Sequence, residues 1–142
     1  MPADYDYIVG IDPDTNQSGL AIYVRATGEL RLYELGLFEI YDLFSKCREE
    51  EETFFVRLEA GHTVKSTWHK GGNGMAKRVG ANHEIGRQLE KLLKKLDIPY
   101  ELVKPCGFSD YSHQMFCQIT KWPLSAKTNP EKRVAGLLCY NY

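Results

Sequence analysis

From Ile8 onward the chain sets down short apolar runs closed by polar turns. Ile8, Val9 and Ile11 make the first run, and Asp12 stands where it stops. The segment Pro13-Asp14-Thr15-Asn16-Gln17-Ser18-Gly19 reverses the direction, and Leu20, Ala21, Ile22 and Tyr23 return as a hairpin partner. Residues 29–37 then alternate apolar and polar positions, which predicts a third antiparallel strand entered through Thr27-Gly28. Residues 1–37 therefore predict a three-stranded meander.

The period changes afterwards. Ile40, Leu43, Phe44 and Cys47 fall at helical spacing, and Phe54-Phe55-Val56-Arg57-Leu58-Glu59 predicts a fourth strand. Its alternation puts Phe55, Arg57 and Glu59 on one face and Phe54, Val56 and Leu58 on the other. The run Glu49-Glu50-Glu51-Glu52 before it is a solvated loop or frayed helix end. Residues 61–80 are polar, rich in glycine and without a period. A long helix is expected over about residues 77–96, with Ile85, Leu89, Leu92, Leu93 and Leu96 as its apolar stripe. A fifth strand follows over residues 98–103, then a short helix around residues 113–119 that His113 is expected to cap. A loop carries Trp122-Pro123, with Trp122 expected in the core. Thr128 or Asn129 caps a closing helix that has Pro130 in its first turn and runs to about Cys139. The order βββ-α-β-α-β-α predicts an α/β fold, a mixed five-stranded sheet with helices on both sides.

Two of these strands end in a lone acid, and that shapes the chemistry. A carboxylate set among β-branched residues loses hydration, at a cost of several kcal/mol unless a cation or hydrogen bonds compensate. Asp12 is either such a ligand or an acceptor of N–H groups in its own turn. Were the two strands neighbours, Asp12 and Glu59 would lie close together, and hard oxygen donors of that kind suit Mg²⁺ or Mn²⁺. Asp14 is a reserve candidate whose turn position favours capping.

Bulk properties widen the range of partners. The 142 residues, 43% hydrophobic and 26% charged, are expected to form one globular domain, residues 1–142. A net charge of −1 conceals an asymmetry: residues 1–64 carry 5 Lys and Arg against 13 Asp and Glu, whereas residues 65–105 carry 9 against 4. The basic stretch suits a polyanion. Within it, Lys65, Trp68, His69 and Lys70, followed by Lys77 and Arg78, combine cations with an aromatic ring able to stack on a base. The alternative is a solvated loop with Trp68 folded back on the core. Cys47, Cys106, Cys117 and Cys139 form no Cys-x-x-Cys pair and are expected to be reduced thiols of a cytoplasmic protein. No stretch reaches membrane-spanning length, and no secretion signal stands at the start.

Ile8-Val9-Gly10-Ile11-Asp12-Pro13, Arg57-Leu58-Glu59, and Val79-Gly80-Ala81-Asn82-His83-Glu84-Ile85-Gly86-Arg87 together resemble the RuvC-like Holliday-junction resolvases of the RNase H-like superfamily. The third of these resembles that family's helix start. Ser112-His113-Gln114, Thr120-Lys121-Trp122 and Thr128-Asn129-Pro130-Glu131-Lys132-Arg133 are similar to the tail of its small phage and bacterial members. The resemblance implies an RNase H-like fold, a metal-dependent endonuclease acting on branched DNA, catalytic and metal-binding acids at Asp12 and Glu59, and a two-fold dimer. It also exposes a departure. The family's closing helix carries an acid after the Arg, and here Arg133 is followed by Val134. Glu131, one turn earlier on the same face, is either the replacement third ligand or an acid favoured at a helix start. Two other classes stay in view: an inactive RNase H-fold nucleic-acid-binding protein, and half of an actin-like ATPase. The last needs a second half and a glycine phosphate loop, and at 142 residues neither is expected to fit.

Overall fold

The computed structural model describes residues 4–63 and 72–142, without the side chains of residues 72–76 and 78. Strands β1 (Tyr7–Asp12), β2 (Ser18–Val24) and β3 (Glu29–Leu35) form the meander. Helix α1 (Leu37–Glu49) leads to β4 (Phe54–Glu59), and α2 (Gly72–Lys95) leads to β5 (Tyr100–Val103). Helices α3 (His113–Thr120) and α4 (Pro130–Cys139) follow. The sheet order is β3-β2-β1-β4-β5, with β1 at the centre, antiparallel to β2 and parallel to β4. Among the described residues no helix is long and apolar enough to cross a membrane.

The strand alternation sorts the core into two layers. Val9, Ile11, Leu20, Val56 and Leu58 face α1 and α2, where Ile40, Phe44, Leu89, Leu92 and Leu93 close over them. Ile8, Ala21 and Tyr23 face the other way, against Phe116 of α3 and Ala135 and Cys139 of α4. The expected stripe of α2 is in place, since Ile85 and Leu96 also pack on the first layer.

Helix α4 comes unusually near the sheet. A Cβ added to Gly10 would strike the Ala135 carbonyl, and one added to Gly19 would strike the Glu131 backbone. Glycine at these two positions lets main chain touch main chain. Asn129 caps α4 by accepting from the Lys132 N–H at 2.9 Å, with Pro130 in the first turn. Thr128, the other candidate cap, instead binds His113 Nδ1 at 2.8 Å.

Several boundaries differ from expectation. Helix α2 starts at Gly72, so the motif beginning at Val79 lies within the helix rather than at its start. Strand β3 ends at Leu35 and β5 begins at Tyr100, because Gly36 opens α1 and the chain enters β5 through a turn at Asp97. Ser112, not His113, caps α3, its hydroxyl accepting from the Met115 N–H at 3.1 Å. His113 bridges Thr128 and the Leu124 carbonyl instead. Trp122 does pack on the second layer.

Candidate active site

Parallel pairing of β1 and β4 sets Ile11 opposite Leu58, so the next residues, Asp12 and Glu59, emerge together at one end of the sheet. Both point to the α4 side, by alternation from Gly10 and Arg57. Each carboxyl group lies close enough to affect the other's hold on a proton. Burial, reinforced by the charges of Glu59, Glu131 and Asp14, pushes Asp12 up to about 8. Burial also raises Glu59, while the hydrogen bond from Asp12 opposes that rise. At neutral pH Asp12 therefore keeps its proton, beside a second carboxyl group that burial also raises.

Glu131 is brought in by α4. Gly19 pairs with Asp12 across the hairpin, and the Glu131 backbone lies directly over Gly19. Its charge reaches Asp12, though among the described residues no three His, Cys, Asp or Glu side chains converge closely enough to hold an ion unaided. Val134, one turn on, is 2% exposed and apolar. The neighbouring Arg133 is fully engaged, donating to the Tyr111 carbonyl at 2.9 Å and to both oxygens of Thr128.

Asp14 does not cap its turn. The Ser18 hydroxyl does so, accepting from the Asp14 N–H at 3.1 Å, while the Asp14 carboxylate accepts from the Thr15 hydroxyl. Ser18 is 2% exposed, an apt place for a small polar group that satisfies buried backbone.

A cleft of about 230 Å³ opens beside the acids, lined by Asp12, Glu59, His62, Asn82, His83 and Gly86 among others. Asn82 Oδ1 accepts from the Thr15 N–H at 3.2 Å and ties α2 to the β1–β2 turn. A larger groove of about 560 Å³ runs beside β3 and Trp122, remote from the acids. Carboxyl chemistry, not size, selects the smaller cleft.

Among the expected polyanion contacts, Lys77 is exposed on α2. Lys65, Trp68, His69 and Lys70 lie outside the described residues, as does the Arg78 side chain. His62 and its partner Glu90 were not legible as a pair, being 28 positions apart and joined only by the packing of α2. Asn82 and His83 stood out in the sequence only as members of a motif, with no role of their own. The four cysteines are free thiols.

No protein family and no curated protein matches the sequence. A solved structure does: T. thermophilus RuvC in complex with Holliday junction substrate. The TM-score is 0.55 at 12% identity, over 94% of this chain and 90% of that one. The fold is RNase H-like. With so few identical residues the likeness concerns architecture, and the chemistry has to come from the site.

Proposed function

We propose that this protein is a metal-dependent, structure-selective nuclease of branched DNA, similar in action to a Holliday-junction resolvase. The carrying observation is the Asp12–Glu59 pair, two half-buried carboxyl groups at neighbouring strand ends, where burial and, after it, the charge of Glu59 push Asp12 up to about 8. Such a pair is strained as two anions and is relieved by a proton or by a cation. Its oxygen donors fit Mg²⁺ or Mn²⁺, which Asp12 and Glu59 would hold together, with the Glu131 charge on α4 adding to the attraction for a cation and its carboxylate the candidate third ligand only if the helix start moves inward. When bound, divalent cations supply an activated water and stabilise the leaving 3′ oxygen of a phosphodiester.

The chain's own residues do the rest. The rigid ends of β1 and β4 aim the acids, and the backbone contact between Gly19 and α4 seats Glu131. Lys65, Trp68, His69, Lys70, Lys77 and Arg78 supply phosphate neutralisation and stacking along the polyanion. The sequence resemblance to resolvases favours branched DNA as the partner, and so does the Holliday junction bound by T. thermophilus RuvC.

Val134 favours a second reading. A buried apolar side chain stands where the resemblance calls for an acid, which suits a nucleic-acid-binding protein that has lost catalysis. Mn²⁺ calorimetry and four-way-junction cleavage separate the two. Binding that is lost in Asp12→Asn, together with cleavage, supports the nuclease. Junction binding without cleavage, with cleavage gained in Val134→Asp, supports the second reading. Unchanged Mn²⁺ affinity in Asp12→Asn overturns the metal site itself.

A further inference from the structure

We infer that His62 is a positioning residue for Glu59, acting through a chain of contacts that runs from His62 to Glu90 and on to Tyr100. The inference rests on the metal-site reading above and adds a residue to it.

Glu59 is the last residue of β4, and the chain after it is pinned at each step. The Ala60 N–H donates to the Val103 carbonyl at 2.8 Å. Gly61–Thr63 then makes a single 3-10 turn, in which the Thr63 N–H and hydroxyl both donate to the Ala60 carbonyl, at 3.1 and 2.8 Å. The middle residue of that turn, His62, drives its ring against α2 and keeps only 5% of its side chain exposed. Its Nε2 lies 3.1 Å from Glu90 Oε1. The other oxygen, Glu90 Oε2, accepts from the Tyr100 hydroxyl at 2.9 Å and sits 3.5 Å from Lys94 Nζ. Tyr100 begins β5 and pairs with Val56 of β4. The contacts thus form a closed circuit from β4 through the turn, α2 and β5 back to β4, with Glu59 at its open corner.

The ring's other nitrogen shows what the histidine is for. Among the described residues Nδ1 is buried with no hydrogen-bond partner, and it faces Gly86, where an added Cβ would come within 2.7 Å of it. A bare buried nitrogen is unfavourable, and an apolar ring would pack there without that penalty. The contact of Nε2 with Glu90 is what holds the plane of the ring. Nδ1 is walled off by Gly86, so His62 works on the site through the turn rather than as a ligand. The same cleft is lined by His62, Gly86 and Glu59, so a shift of the turn is felt at the carboxylate. Partners that orient a metal ligand contribute about 10–100-fold in metal affinity.

Two substitutions separate positioning from packing. His62→Phe keeps the ring volume and loses the donor, whereas His62→Gln keeps a donor at similar reach. Calorimetry with MnCl₂ on the full chain should show His62→Phe weakened by about tenfold and His62→Gln within about threefold of the unsubstituted protein. Four-way-junction binding without divalent ions should be unchanged in both. Equal affinity in His62→Phe and the unsubstituted protein overturns the inference and leaves the metal site standing. An equal loss in both variants also overturns it, since the role is then packing. No Mn²⁺ binding by the unsubstituted protein overturns the metal-site reading and this inference with it. Should His62→Phe fail to fold, Tyr100→Phe removes the outer clamp on Glu90. An affinity loss of about twofold or more then supports the circuit, and no loss overturns it.

Discussion

Asp12 carries the molecule's strongest link between pH and stability. Its folded value of about 8 lies above the 3.8 of an unperturbed side chain, so this group favours the fold fully below about pH 4. That contribution is lost as pH rises from about 4 to about 8, because over that range the folded state holds a proton that the unfolded chain has already released. Thermal melts in chelator should therefore fall between pH 5 and pH 8.5. Asp12→Asn should flatten the fall and be more stable than the unsubstituted protein at pH 8, on the order of a few kcal/mol. A steeper fall in the variant would refute the raised value of Asp12. Mn²⁺ should displace that proton, so its affinity should rise with pH over the same window. Val134 gives the complementary case. Being 2% exposed, it has no water to offer an introduced carboxylate. Val134→Asp should destabilise the metal-free protein by roughly 3 kcal/mol, with much of that recovered when Mn²⁺ is added, as chemical denaturation would measure.

Among the elements, α4 is the one whose placement decides the site. Gly19→Ala forces a methyl group into the Glu131 backbone, lifting the start of the helix from the hairpin. The expected cost is roughly 1–3 kcal/mol, with junction cleavage falling further than stability alone explains. Intact cleavage at full Mn²⁺ affinity would mean that Glu131 has no part in it. The strands, the acids at their ends and the Asn129–Pro130 start of α4 were all legible, because each rests on local pattern and local hydrogen bonding. The start of α2 was not. Gly72 and Gly74 each weaken helical propensity by about 1 kcal/mol, so the first turns leave no periodic trace in sequence. The contact between Gly19 and Glu131 was equally hidden, since a glycine that admits a distant helix looks like any turn glycine. The bridging role of His113 was hidden for a related reason: its partners, Thr128 and Leu124, come from a loop that folds back on it.

At the scale of the molecule, charge and shape are divided along the chain. The first 64 residues hold most of the acid, and the basic stretch that follows leads into α2, whose later face walls the cleft. Exposed Lys77 belongs to that stretch. Lys77→Glu should weaken junction binding about equally across sequences and reduce the slope of log affinity against log salt by about 1 to 2. A change in sequence preference with the slope intact would move Lys77 from phosphate to base contact. On the opposite side of the sheet's centre, Arg57 joins β4 to the end of α4. It donates to the Leu138 carbonyl at 2.6 Å, pairs with Glu101, and lies 3.9 Å from the centre of the Tyr142 ring. The closing helix is thus moored to the sheet at its far end by an arginine and over Gly19 by main chain. A mooring made of main chain is indifferent to which side chains stand around it. On the proposed reading, single-codon changes at 131 or 134 would therefore change the donors at this corner while the path of the backbone stays as it is.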